Sequence, residues 1–175
     1  MKSNITLIGM PASGKSTIGV LLAKRLGYSF VDVDIVIQEE TGKLLKEIIA
    51  EQGTAGFLEV EEEINSRLDV NRSVIAPGGS VIYGPAAMEH LKEISTIVYL
   101  ELEYEELERR LGDLEDRGVA LKDGMTLHDL YNERVPLYEK YADITVKEAS
   151  KGLGEVVDEL RVLMERRIAE GLQER

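Results

Sequence analysis

Cysteine is absent from this 175-residue chain. That removes disulfide frameworks, thiolate metal sites and cysteine nucleophiles, and it is compatible with a reducing compartment. Histidine is scarce: with only His90 and His128 present, a histidine-centred catalytic or metal constellation has little material, and both are expected to be ordinary surface residues. No apolar run approaches the length of a bilayer span, and no charged segment followed by an apolar stretch precedes the first strand-like run. Neither membrane insertion nor secretion is therefore expected, and the protein reads as soluble, cytoplasmic and monomeric. Positive charge is also in short supply, since 21 Lys and Arg face 33 Asp and Glu, for a formal net charge of −12 at pH 7. Binding a phosphate backbone is mostly neutralisation by Lys and Arg, so nucleic acid is excluded as a partner. The acidic excess, at Glu59, Glu61 to Glu63, in 101–108 and near the C-terminus, reads as solvated helix face.

What remains is 43% hydrophobic, enough for one well-buried core and too short for two ordinary domains, so residues 1–175 are expected to form a single domain. Apolar β-type runs recur at Ile5 to Ile8, Ser29 to Val33, Ser73 to Ala76, Thr96 to Leu100 and Asp143 to Val146. Helical periodicity fills the gaps between them, and such alternation predicts an α/β fold with a parallel sheet. Ile18, Leu21, Leu22 and Leu26 form one helical stripe that stops at Gly27, a favoured residue just past a helix end. Phe57, Val60, Ile64 and Leu68 form a second, Pro85 suits a first helical turn, 102–111 is a short charged helix, and Leu153, Val156, Leu160 and Leu163 line a terminal one.

The first strand runs directly into Gly9-Met10-Pro11-Ala12-Ser13-Gly14-Lys15-Ser16, and a helical pattern follows at once. This is a phosphate-binding P-loop in its required setting. Its glycines let backbone N–H groups converge on phosphate oxygens, Lys15 adds a mobile positive charge, and the Ser16 hydroxyl can ligate Mg²⁺. The helix then presents its positive dipole end to the anion.

Strand two ends in Asp32-Val33-Asp34. In a parallel sheet the carboxyl ends of the strands face the ligand crevice, so both carboxylates belong on the edge that carries the P-loop. Strand alternation would put them on one face, where one could hold Mg²⁺ through water while the other accepts a proton from an attacking hydroxyl. A solvated strand end, with Asp34 capping the next helix, is the alternative. Strand three ends in Pro77-Gly78-Gly79-Ser80, where glycines allow close backbone approach to a small ligand or form a plain tight turn. The segment 112–120, polar and bounded by glycines, is a candidate flap over the nucleotide.

In this order the features resemble the shikimate kinase family. The match runs from Ile5 to about Leu163 and comprises Gly14-Lys15-Ser16-Thr17, the pair Asp32 and Asp34, Thr41-Gly42, Pro77-Gly78-Gly79-Ser80, Val98-Tyr99-Leu100, Glu108-Arg109-Arg110-Leu111, Arg117, Arg134-Val135-Pro136-Leu137-Tyr138 and Tyr141-Ala142-Asp143. The resemblance implies a three-layer α/β/α P-loop kinase fold, a five-stranded parallel sheet of order 2-3-1-4-5, and a lid at about 112–123. It further implies ATP and Mg²⁺, with a small hydroxylated molecule as phosphoryl acceptor. Gly9, Pro11, Ala12, Ser13, Gly14, Lys15, Ser16 and Thr17 would hold the nucleotide, with Arg110 against the adenine and Arg117 reaching the transferring phosphates. Ser16 and Asp32 would serve the metal. Lys15, Asp34 and Arg117 would carry catalysis, because a metaphosphate-like transition state is helped mainly by positioning and positive charge. The acceptor-binding region, about 34–65, would contribute Asp34, Leu58 and Glu61, joined by Gly78, Gly79, Ser80 and Arg134.

Two positions depart from the family pattern, both on the acceptor side. Where the family normally shows Phe-Arg-x-x-Glu this chain reads Phe57-Leu58-Glu59-Val60-Glu61, and the usual third glycine after strand three is Ser80. Leucine offers no donor, so a hydrogen bond to a charged group, worth about 1.5 to 3 kcal/mol, has to come from elsewhere if shikimate is the acceptor. Glu61 is then a carboxylate near the acceptor without an arginine partner. Shikimate is the first expectation, gripped by Arg134 with Lys43, Lys46 or Arg72 contributing. The alternative is another hydroxylated acceptor, a neutral polyol or a hydroxy amino acid. A nucleoside monophosphate kinase would need several arginines beyond the lid, of which 35–75 supplies few. A non-catalytic nucleotide-dependent regulator would be favoured if Lys15 or Asp34 were missing, and both are present.

Overall fold

The computed structural model of the chain describes residues 2–111, 124–148 and 151–173. Strands β1 (Asn4–Ile8), β2 (Ser29–Asp32), β3 (Ser73–Ala76), β4 (Ser95–Glu101) and β5 (Ile144–Lys147) pair in parallel in the order β2-β3-β1-β4-β5. The central strands β1 and β3 are buried along their whole length because helices cover both faces. Helices α1 (Lys15–Leu26) and α7 (Leu153–Gln173) pack Ile18, Leu22, Val156, Val157 and Leu160 on Ile5, Leu7, Val74, Val98 and Leu100. On the other face α2 (Val33–Thr41), α3 (Leu45–Ser66), α4 (Pro85–Ile94), α5 (Tyr104–Leu111) and α6 (Leu127–Tyr141) bring Ile37, Ile48, Phe57, Ile64, Met88, Leu107 and Tyr138 against Ile8, Ile75, Ile97 and Tyr99. The three layers and the strand order match the expected P-loop kinase fold. No helix among the described residues is long and apolar enough to cross a membrane.

Some details differ from the periodicity. Leu21 and Leu153, expected on core faces, are exposed. The inward arc of α1 is instead Ile18, Gly19, Leu22 and Ala23. A Cβ at Gly19 would stand 2.5 Å from the Phe30 ring, so the missing side chain sets how closely α1 seats on the sheet and leaves Leu21 at its rim. α3 is broken at Gly53, whose φ of +71° is open to glycine at no steric penalty. His90 is half-buried rather than a plain surface residue, its Nε2 bonded to the Leu68 carbonyl oxygen at 2.8 Å.

The register builds the crevice. Thr6 pairs with Ile75 and Asp32 with Ala76, so the loop after β1, the Asp32 to Asp34 corner and 77–80 leave the sheet side by side at its carboxyl edge.

Candidate active site

The loop between β1 and α1 is held open by its backbone. Gly9 has φ +152° and Gly14 φ +77°, and Ala12 is also left-handed at φ +61°. A left-handed alanine is strained and persists only where its surroundings over-determine it. A Cβ on Gly9 would lie 2.8 Å from the Leu100 carbonyl oxygen. Lys15 turns back into the loop, where its Nζ donates to the Gly9 and Met10 carbonyls, both at 2.9 Å. Burial lowers its pKa to about 8, opposed by the charge of Asp34. Ser13 Oγ is buried with no hydrogen-bond partner among the described residues. An orphaned hydroxyl, a withdrawn ammonium and amides at a helix N-terminus form a cradle fitted to phosphate oxygens.

Opposite the cradle, β2 ends at Asp32 and the chain turns at once into α2. The two aspartates therefore do not alternate along a strand as expected: Asp32 caps the helix and Asp34 sits in its first turn. Asp32 Oδ1 accepts from the Asp34 N–H at 3.1 Å, and Asp32 Oδ2 accepts from Ser16 Oγ at 3.0 Å. The capping role thus falls on Asp32, which frees the Asp34 carboxyl for the hollow beyond. Burial raises the Asp34 pKa, and the neighbouring Asp32 charge raises it further against the pull of Lys15. Ser16 and Asp32 offer two hard oxygen donors at the mouth of α1, a donor set that suits Mg²⁺, which keeps waters and phosphate oxygens as its other ligands. Among the described residues no group of three or more His, Cys, Asp or Glu could hold a metal alone.

Between cradle and aspartates lies a hollow of about 310 Å³ lined by Pro11, Ala12, Gly14 to Thr17, Asp32, Asp34, Leu45, Phe57, Glu61, Ala76 to Ser80, and Arg134. Gly78 and Gly79 are required by closeness. A Cβ on Gly78 would stand 2.4 Å from Glu61 Oε1 and 3.3 Å from Asp34 Oδ1, and one on Gly79 would stand 3.1 Å from Arg134 Nη1. Glu61 is buried and its Oε1 has no hydrogen-bond partner among the described residues. Burial raises its pKa to about 7; the Ser80 side chain, bonded to it, pulls the other way, Asp34 pushes it up, and Arg134 and Lys15 lower it. The carboxyl is thus poised between its two states near neutrality.

The remaining expected residues sort themselves by position. Arg110 lies beside the loop, its Nη1 3.3 Å from the Ala12 carbonyl oxygen and 2.8 Å from Glu148 Oε2, and its Nε bonded to Glu106. Leu58 lines no part of the main hollow. It faces a small cavity behind Arg134, shared with Ser80 and Tyr83. Neither Lys43 nor Arg72 reaches the site: Lys43 pairs with Glu51, and Arg72 precedes β3 at the opposite sheet edge, over the Tyr28 ring. Lys46 is exposed and outside the lining. Arg117 and the lid expected at 112–123 lie outside the described residues.

Three side chains at the site had no role assigned from the sequence, Tyr138 standing there only within a motif. Tyr138 donates from its hydroxyl to the Gly79 carbonyl oxygen at 2.6 Å and stacks on Tyr99. Tyr83 and Glu133 bracket Arg134. The signal for the helix that carries two of them was Thr126 followed by Asp129, a capping box whose two bonds are both made.

The family model described as shikimate kinase matches residues 11–165. A shikimate kinase of Chlorobium chlorochromatii (strain CaD3) is 41% identical over 175 residues, spanning 94% of this chain and 92% of that protein. Among solved structures, shikimate kinase from Acinetobacter baumannii in complex with shikimate superposes with a TM-score of 0.82 at 29% identity, covering 94% of both chains. The Aquifex aeolicus shikimate kinase follows at 0.75 and 31%, covering 94% of this chain and 98% of that one.

Proposed function

The chain belongs to the shikimate kinase family, and from that premise we propose that it transfers the γ-phosphoryl group of ATP to a hydroxyl of shikimate, a step of aromatic amino acid biosynthesis that yields shikimate 3-phosphate. The observation that carries the reading is the shared hollow, in which a phosphate cradle, the Asp34 carboxyl and the Arg134 guanidinium face one another. Lys15 leaves its loop carbonyls for the β- and γ-phosphates. Asp34 receives the acceptor hydroxyl and takes its proton as the oxygen attacks the γ-phosphorus. Arg134 grips the acceptor carboxylate, a role for which a planar, permanently charged fork is suited. Glu61 and Ser80, with the bare backbone of Gly78 and Gly79, shape the wall between them. Arg110 borders the base side, and Arg117 is assigned to the transferring phosphates.

Ser16 and Asp32 would hold Mg²⁺, which when bound supplies charge neutralisation at the phosphate oxygens. Leu58 acts at one remove, as apolar backing to Arg134. On this reading residues 1–175 form one domain, supported by a single sheet that carries both hydrophobic clusters of the described residues, and act as a monomer. With ATP as donor, a cytoplasmic location goes with the reading.

The test is coupled ADP release with ATP and Mg²⁺ against shikimate, homoserine, gluconate and nucleoside monophosphates. Turnover stimulated by shikimate alone is expected. Stimulation by gluconate or homoserine in its place would overturn the acceptor, and turnover with none would overturn the kinase reading.

A further inference from the structure

The acceptor hollow holds a buried guanidinium, and what aims it is unusual. Arg134 is 3% exposed, and a charge so buried has to be partnered. Its hydrogen-bond and ring partners among the described residues are phenols. Nε donates to Tyr83 Oη at 3.2 Å, and the guanidinium carbon stands 5.3 Å from the Tyr83 ring centroid. The Tyr138 hydroxyl bonds to the same group and is itself fixed by donation to the Gly79 carbonyl.

Tyr83 is fixed in turn. Its hydroxyl donates to Glu133 Oε1 at 2.5 Å, so the phenolic proton is committed and the oxygen lone pair is presented to Nε. With Nε, one ring face and the Tyr138 hydroxyl engaged, the guanidinium is held in one orientation, and Nη1 lies at the Gly79 wall of the hollow, where a planar anion can meet it. Beside the guanidinium, a cavity of about 20 Å³ is lined mainly by Leu58, Tyr83, Met125 and Leu130, with Thr54 and Ser80 at its wall, and is too small and apolar to hydrate the charge well. A desolvated, oriented arginine binds an anion more strongly than a solvated one.

We propose that Tyr83, anchored by Glu133, is the positioning residue that sets the fork of Arg134 for the acceptor's carboxylate, so that one arginine suffices where position 58 offers only leucine. The inference rests on the reading of shikimate as acceptor and deepens it.

Steady-state kinetics of the full chain test it, with shikimate and its methyl ester as alternative acceptors, beginning with the unaltered protein. Tyr83→Phe keeps the ring and removes the acceptor oxygen. The KM for shikimate should rise about five- to twentyfold while kcat, the KM for ATP and thermal stability stay near those of the parent. With methyl shikimate, which lacks the anion, the two proteins should have equal KM values. Glu133→Gln, which weakens the anchor without touching Arg134, should raise the KM for shikimate by a smaller factor with the same indifference to the ester. It decides the matter should the tyrosine variant fold poorly. An unchanged KM for shikimate in both variants would overturn the proposal. So would an equal loss with the ester, which would mark a structural effect. An unaltered protein that turned over ATP with neither acceptor would overturn the function itself, and this inference with it.

Discussion

The two sides of the crevice are built on different principles. The phosphate side is backbone: Gly9, Ala12 and Gly14 in positive φ, amides at the start of α1, and a lysine tethered to carbonyls of its own loop. The acceptor side is side chain: Asp34 from α2, Glu61 from α3, Ser80 after β3, and Arg134 from α6, gathered from segments far apart in sequence. A backbone cradle is specified by a short contiguous motif and tolerates little variation. An acceptor wall assembled from distant elements can trade one group for another, and both departures from the family pattern, Leu58 and Ser80, lie on that side.

The sharpest way to break the comparison is at the residue that spans it. Asp34→Asn should lower kcat about 10²- to 10⁴-fold, as expected for loss of a general base, with ATP affinity unchanged. Isothermal titration with ATP alongside turnover separates the two, and an unimpaired kcat would remove Asp34 from the reaction. Next, Gly9→Ala forces a Cβ to 2.8 Å from the Leu100 carbonyl oxygen and 2.9 Å from Ser13 Oγ. Strain of about 1–3 kcal/mol is expected, seen as a lower melting temperature and a raised KM for ATP, with the KM for shikimate unaffected. A change in the shikimate term alone would show that the two sides are not separable.

Glu61 supplies a pH test of the acceptor side. Its folded pKa of about 7 lies above its ordinary value of 4.5. Between those values the unfolded chain releases the proton before the folded one does, so this group's contribution to stability falls as pH rises from about 4.5 to 7. Glu61→Gln abolishes that slope. Its stability relative to the parent should improve by about 1–3 kcal/mol between pH 5 and pH 8 in urea unfolding, and a constant difference would place the proton elsewhere. The smallest effect is expected from Leu58→Arg, which sets a cation three residues before Glu61 on one helix face. It should pair with the Glu61 carboxylate and flatten the rise in shikimate KM expected of the parent above pH 7, where Glu61 ionises, a gain of about two- to fivefold at pH 8.

Legibility followed the same division. The cradle and the alternation of strands and helices could be read from local pattern, a strand, a glycine-rich loop and a helix in succession and apolar runs at regular intervals, whereas the strand order and the three layers came with the family resemblance. The other half was legible only through the family resemblance, which named Asp34, Glu61, Gly78, Gly79, Ser80 and Arg134, all of them in the hollow, but not how they meet. Asp32 and Asp34 share a sequence spacing that suits a strand, yet the helix begins between them because Asp32 is a better N-cap than strand residue. Tyr83 and Glu133 carry no motif, and Pro136 within α6 disguises the helix that brings Arg134 into the hollow. Leu58 was legible as a departure, but its place behind Arg134 rather than in the hollow depends on how α3 packs on the turn after β3.

The central claim is that a cradled polyphosphate and an oriented alcohol meet across Asp34. A crystal structure of the protein with a non-hydrolysable ATP analogue and shikimate tests it most directly. An Asp34 carboxyl oxygen is expected within hydrogen-bond reach, about 2.6–3.2 Å, of the shikimate hydroxyl that faces the terminal phosphorus, with the shikimate carboxylate on the terminal nitrogens of Arg134. A shikimate bound with its carboxylate turned away from Arg134, or a hydroxyl that Asp34 does not touch, would contradict it.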